Sequence, residues 1–273
     1  MTGVGRAQGG GAVRELDGML EAMDGTQLVW RAALPAGAAR AAIILVHGFG
    51  EHSGRYAALP AHFVPRGYAV WAYDLRGHGR SGGQRGHIMA WAEFHDDLRR
   101  FVALVRAAEP RLPLFLYGHS MGGLLALEYG SQHPDDLAGI VVSAPGLRWD
   151  LPPIVVWLVR ALSRHWPTFS GGSTRDHADP LTHTRASVRL ISEERAAMAR
   201  MMVAPTISVP LLIAHDTADP QVPVEASRAF YACITSGDKT LQEEAGHSHF
   251  PHSAPGADAF LEKIVDWLDR HLC

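Results

Sequence analysis

Leu114-Phe115-Leu116-Tyr117 runs straight into Gly118-His119-Ser120-Met121-Gly122-Gly123 and then Leu124-Leu125. The order is an apolar strand, a sharp turn and a helix, with a serine at the apex. A serine hydroxyl is a weak nucleophile and must stand where a base can take its proton. Gly118 and Gly122 keep side chains out of the crowded bend that puts it there. In a chain with 28 glycines a G-x-S-x-G string alone is weak evidence, and an ordinary glycine-rich turn is the plain alternative. The placement between a buried strand and a helix marks Ser120 as a candidate nucleophile.

Strands and helices alternate on either side of this turn. Two short strand-like pieces over residues 20–33 are separated by Asp24-Gly25, a hairpin signal. Residues 41–46 form a continuous apolar run, as in a strand buried on both faces of a parallel sheet. The pattern predicts helices over 56–66, 91–108, 121–131, 224–234 and 257–272. It predicts further strands over 68–73, 113–117, 139–143, 209–214 and 239–243. This rhythm means an α/β domain with a mostly parallel sheet and right-handed crossovers.

The rhythm breaks after Pro145. Residues 151–162 are apolar nearly all round, Gly171-Gly172-Ser173-Thr174 reads as a hinge, and a second helical stretch covers 187–202. Residues 146–206 are therefore expected to be a helical cap inserted into a core made of 18–145 and 207–273, with 1–17 a flexible tail. The apolar run is too short to span a bilayer. Either it packs under other helices or it presents an oily face to lipid, with transient contact to a membrane surface.

Composition excludes other classes. A net charge of -3 gives no basic excess for nucleic acid. Cys233 and Cys273 lack metal or redox spacing, so a reducing, cytoplasmic setting is expected, peripheral to membrane at most. His247, His249 and His252 cluster, but nothing else has ligand spacing, so no metal or cofactor is expected.

An acid after a late strand can orient a histidine, and Asp216 and Asp219 both compete for that place. The last strand leads into Gly246-His247-Ser248-His249-Phe250, where two histidines compete. Serine, then acid, then histidine, each after a strand, is the order of one hydrolase architecture. Asp74-Leu75-Arg76-Gly77-His78-Gly79-Arg80-Ser81 is expected to brace a loop rather than to catalyse.

The string Gly50-Glu51-His52-Ser53-Gly54-Arg55-Tyr56 after His47-Gly48-Phe49, with Gly118 through Gly123, Ser143-Ala144-Pro145 and Asp179-Pro180-Leu181, resembles the α/β-hydrolase fold. Within it, the string is similar to the monoacylglycerol lipase and lysophospholipase group. The resemblance implies a mostly parallel eight-stranded sheet with helices on both faces and an inserted cap. It implies hydrolysis of one fatty-acyl ester of glycerol, a small lipid ester, without a cofactor. Ser120, Asp219 and a histidine would form the triad, and the N–H groups of Phe49 and Met121 the oxyanion hole. The group's histidine tends to sit three residues after a glycine, which favours His249 over His247. Glu51, Arg55, His119, Ile154 and Trp157 are expected to bind substrate. Other readings are a short-chain carboxylesterase, a lysophospholipase, or a non-catalytic binding protein of hydrolase shape.

Overall fold

The computed structural model describes residues 13–173, 178–203, 206–246 and 248–272. Most of the glycine-rich start, Thr174 of the expected hinge, His247 and Cys273 lie outside them. In chain order the elements are β1 (Val13–Glu21), β2 (Gln27–Pro35), β3 (Ala41–Val46), α1 (Ala58–Phe63), β4 (Tyr68–Tyr73) and α2 (Ala92–Ala108). There follow β5 (Leu114–His119), α3 (Met121–Gln132), β6 (Gly139–Ser143), α4 (Pro153–His165), β7 (Ser170–Gly171) and β8 (Ala186–Ser187). The last are α5 (Val188–Met201), β9 (Leu211–Asp216), α6 (Val224–Cys233), β10 (Lys239–Glu244) and α7 (Ala257–Arg270).

Eight strands form one sheet in the order β1-β2-β4-β3-β5-β6-β9-β10. The β1–β2 and β2–β4 pairs are antiparallel, and every pair from β4 to β10 is parallel. The fold is that of an α/β hydrolase. Its central strands are apolar throughout because both faces are covered. In β3, Ala42, Ile44 and Val46 enter the core under α2 and α3, while Ala41, Ile43 and Leu45 enter the core under α1 and α7. The carboxyl ends of β3, β5, β9 and β10 therefore open at one rim of the sheet, where ligands of such sheets bind.

β1 begins at Val13, so residues 13–17, read above as tail, are strand. β1 is an edge strand whose Arg14, Glu15 and Asp17 are exposed, and a solvated edge needs no apolar run. Between β6 and β9 the alternation is interrupted by α4, the short antiparallel β7–β8 pair and α5. α5 lies against α3, where Glu128 accepts from Arg200 at 3.1 Å and binds Trp91 and His95 of the α2 region. The bracing role of the 74–81 loop is plain in its contacts. Asp74 accepts from the Ser53 N–H and hydroxyl and from the Arg80 N–H, and Arg76 is bidentate on Asp97 and reaches Asp24 and Glu93.

Among the described residues no helix is long and apolar enough to cross a membrane.

Candidate active site

Ser120 sits between β5 and α3 at φ 51°, ψ −120°, a backbone state that L-residues rarely adopt. The surrounding packing enforces it. A Cβ on Gly118 would stand 2.5 Å from the Gly122 carbonyl oxygen, and one on Gly122 only 2.3 Å from that of Val46. The turn is pinned by the Ser120 N–H to the Ser143 carbonyl at 3.0 Å and by the Gly146 N–H to the Ser120 carbonyl at 2.8 Å.

His249 lies between Ser120 and Asp219. Its Nδ1 is 2.6 Å from Asp219 Oδ2 and its Nε2 is 3.1 Å from Ser120 Oγ. A carboxylate only accepts, so Nδ1 carries the proton and the Nε2 lone pair faces the hydroxyl. Burial opposes ionisation of Asp219, but hydrogen bonds from His215, His249 and the N–H groups of Val222 and Gln221 outweigh it. They hold the carboxyl far below the ordinary carboxylate range. Asp216, the competing acid, accepts instead from the N–H groups of Ala218 and Ser248.

On the other side of Ser120 stands the loop after β3. Burial pushes the His47 imidazole down to about 4, so it is neutral. Its Nδ1–H donates to the Gly48 carbonyl at 2.8 Å, and its Nε2 accepts from the Leu75 N–H at 2.9 Å. Fixing the Gly48 carbonyl fixes the trans peptide and so aims the Phe49 N–H the opposite way. Among the described residues that N–H makes no hydrogen bond. Met121 opens α3, so its N–H has no acceptor within the helix. The Gly48 N–H donates to Tyr56 Oη, which donates to Glu51 Oε2 at 2.6 Å. The segment leading to β8 is tied on from above, through His52 Nε2 to Asp179 Oδ2 at 2.9 Å and the His183 N–H to the Gly50 carbonyl at 2.9 Å.

A cavity of about 310 Å³ opens over Ser120 and His249. Trp149, Leu190, Ile191 and Glu194 close it from the segment between β6 and β9, and Phe49, Glu51, Gln221, Val222 and Phe250 from the sheet side. A separate cavity of about 570 Å³ lies between α1 and the β1–β2 hairpin and does not reach Ser120. Burial pushes the Glu51 carboxyl up, against the Tyr56 hydroxyl and the Arg55 guanidinium. Burial also pushes Glu194 up, to about 7.

The residues expected to bind substrate divide. Glu51 lines the cavity. Arg55 does not line it but backs two of its walls, with Nε 3.0 Å from Glu51 Oε1 and its guanidinium 5.8 Å from the Phe250 ring centroid. His119 does not line it, being fully buried behind the turn against His249, Phe250 and His252. Ile154 and Trp157 do not line it either. Each is 63 % exposed on the outer face of α4, because the helix turns Val159 and Ser163 inward instead. The walls missed by sequence reading are Trp149, Leu190, Ile191, Glu194, Gln221 and Phe250. Phe250 closes the string that carries the two competing histidines, the others belong to no motif, and only the i, i+1, i+4 spacing of Leu190, Ile191 and Glu194 on α5 signals a common face. Among the described residues no group of three or more histidines, cysteines or acids is placed to hold a metal.

Residues 37–254 match the family described as serine aminopeptidase, S33. The chain is 30% identical over 265 residues to a monoacylglycerol lipase of Mycolicibacterium smegmatis, covering 91% of this chain and 95% of the relative. It is 28% identical to a phospholipase of Bacillus subtilis, over 89% of this chain and 99% of the other. Among solved structures, the monoacylglycerol lipase of Paleococcus ferrophilus superposes with a TM-score of 0.78 at 31% identity, over 90% of this chain and 99% of that one. The chain belongs to the S33 serine aminopeptidase family of α/β hydrolases, in the group that includes the monoacylglycerol lipases.

Proposed function

We propose that the protein hydrolyses a single fatty-acyl ester, monoacylglycerol above all, to free fatty acid and glycerol through an acyl-enzyme on Ser120. The observation that carries this reading is His249 bridging Ser120 and Asp219 at one wall of an open, largely apolar cavity. His249 Nε2 takes the hydroxyl proton as Oγ attacks the ester carbonyl. Negative charge gathers on the carbonyl oxygen, and the N–H groups of Phe49 and Met121 stabilise it there without having to reorient. Asp219 holds the imidazole in the required tautomer and stabilises its cationic form. The imidazolium then protonates the leaving alcohol, and water repeats the sequence on the acyl-enzyme.

Residues 146–206 act as a lid in this reading. Trp149, Leu190, Ile191 and Glu194 supply the cavity's outer wall, so lid closure excludes water from the acyl-enzyme. Ile154, Trp157 and Leu158 give the outside of the lid an exposed apolar face suited to a lipid surface.

The test is a panel of monoacylglycerols, diacylglycerols, short soluble esters and lysophospholipids, read as free fatty acid released. Monoacylglycerols of medium or long chain should give the highest kcat/KM. Preference for short soluble esters would make the protein a carboxylesterase, and no release from any ester would make it a binding protein.

A further inference from the structure

We infer that the Ser120 cavity selects against anionic headgroups and takes esters of uncharged alcohols, with Glu194 as the residue that sets this selection. The inference deepens the glycerol-ester reading above and rests on it.

Of the residues lining the cavity, two are carboxylic acids and none is lysine or arginine. The two acids differ in their surroundings. Glu51 is matched, one oxygen taking the Arg55 Nε–H and the other the Tyr56 hydroxyl. Glu194, on the inner face of α5, is 9 % exposed, and among the described residues nothing donates to it or pairs with it within 4.0 Å. The adjacent Arg195 points elsewhere, with Nη1 3.1 Å from the Trp149 carbonyl and its guanidinium 5.2 Å from that residue's ring centroid. Glu194 shares the cavity lining with Glu51, whose charge Arg55 takes up, and with His249, whose Nδ1 proton is engaged by Asp219. The charged group that acts on it is the neighbouring Arg195, which opposes the upward push of burial. The Glu194 carboxyl oxygens are not among the sealed unpaired polar atoms, so they open on the cavity, where a ligand hydroxyl can donate to them.

The carboxyl, shifted to about 7 by burial, is ionised in mildly alkaline solution. There it accepts hydrogen bonds and repels negative charge. The hydroxyls of an uncharged polyol donate to it. A phosphate on the same alcohol would lose its water, find the two neighbouring guanidiniums already engaged, Arg55 with Glu51 and over Phe250 and Arg195 with the Trp149 carbonyl, and meet a carboxylate. Rejection by an unpaired like charge discriminates more strongly than the loss of a contact. The acyl chain is the same in both substrates, so the headgroup alone decides between a monoacylglycerol and a lysophospholipid.

The experiment compares 1-butyrylglycerol with 1-butyrylglycerol 3-phosphate at mildly alkaline pH, in the wild type, Glu194→Gln and Glu194→Leu. Both substrates are soluble, so surface effects are absent. The wild type should prefer the neutral ester by about a hundredfold or more in kcat/KM, and Glu194→Gln should narrow that ratio about tenfold or more. Glu194→Leu should narrow it too, which keeps the result independent of whether one variant folds poorly. Near-ultraviolet circular dichroism checks that each is folded. A smaller preference in the wild type, or a ratio that both folded variants leave unchanged, overturns the inference. Should neither butyryl ester be turned over, the longer monoacylglycerols of the panel above decide the glycerol-ester reading. The selection is then read on phenyl butyrate against 4-(butyryloxy)phenyl phosphate, with the same thresholds.

Discussion

Ser248 donates its N–H to Asp216 Oδ2 at 3.1 Å, tying the loop that carries His249 to the end of β9, three residues before Asp219. The two halves of the acid–base pair come from loops 30 positions apart in sequence, and this bond, with that of the Thr217 N–H to the Glu244 carbonyl, holds the loops together. Asp216 is therefore a positioning residue, one step removed from the reacting atoms.

Asp219→Asn and Asp216→Asn should separate. The first should lower kcat about ten-thousandfold, because an amide no longer holds the imidazole in its working tautomer. The second should lower the melting temperature and cost about tenfold to a hundredfold in kcat, from a misplaced His249. A larger kcat loss from Asp216→Asn would exchange their roles.

Ser120→Ala should abolish turnover, on the order of a millionfold in kcat, with an unchanged melting temperature. Retention of more than about a thousandth of wild-type kcat would remove Ser120 from the mechanism. Burst release of p-nitrophenol from a p-nitrophenyl ester should vanish with it.

The turn itself tells how far the sequence could be read. Gly118 and Gly122 announce the geometry of the turn around Ser120 because sterics leave the chain no other residue at those two positions, with carbonyl oxygens 2.3–2.5 Å from any added Cβ. The strand ends narrowed the acid to Asp216 or Asp219 and the base to His247 or His249, since each candidate pair follows a strand at the carboxyl rim of the sheet, and only the resemblance chose between them. The cavity wall was not. Trp149, Leu190, Ile191 and Glu194 meet only because the segment between β6 and β9 folds back over Ser120, and no local periodicity encodes that return. The same return decides which side of α4 is outside, so Ile154 and Trp157 could not be placed from their apolarity alone. His119 was misplaced because its neighbour in sequence, Ser120, points into the cavity while it points into the core.

Glu194→Gln should stabilise the protein above neutral pH. Burial raises the folded-state carboxyl from 4.5 to about 7, so the native state binds a proton that the unfolded chain releases. Its contribution is fully present below about 4.5 and is lost as pH rises through about 7. The variant escapes that loss, on the order of 1–3 kcal/mol at alkaline pH, and its advantage should shrink on acidification. Denaturant melts across that range check it, and an advantage independent of pH would contradict the account.

Replacing Ile154 and Trp157 together by glutamine should leave the melting temperature unchanged, since both side chains are mostly exposed. Activity on vesicle-borne monoacylglycerol should fall several-fold, while activity on short soluble esters stays the same. An equal loss on both substrates would show that this face of α4 does not meet lipid.

The most direct test of the central claim is kcat on one medium-chain monoacylglycerol for His249→Ala beside His247→Ala. His249→Ala should fall at least about a thousandfold, the scale of losing the general base, and His247→Ala about tenfold or less. A nearly active His249→Ala beside an inactive His247→Ala would contradict the assignment and, with it, the account of how Ser120 is activated.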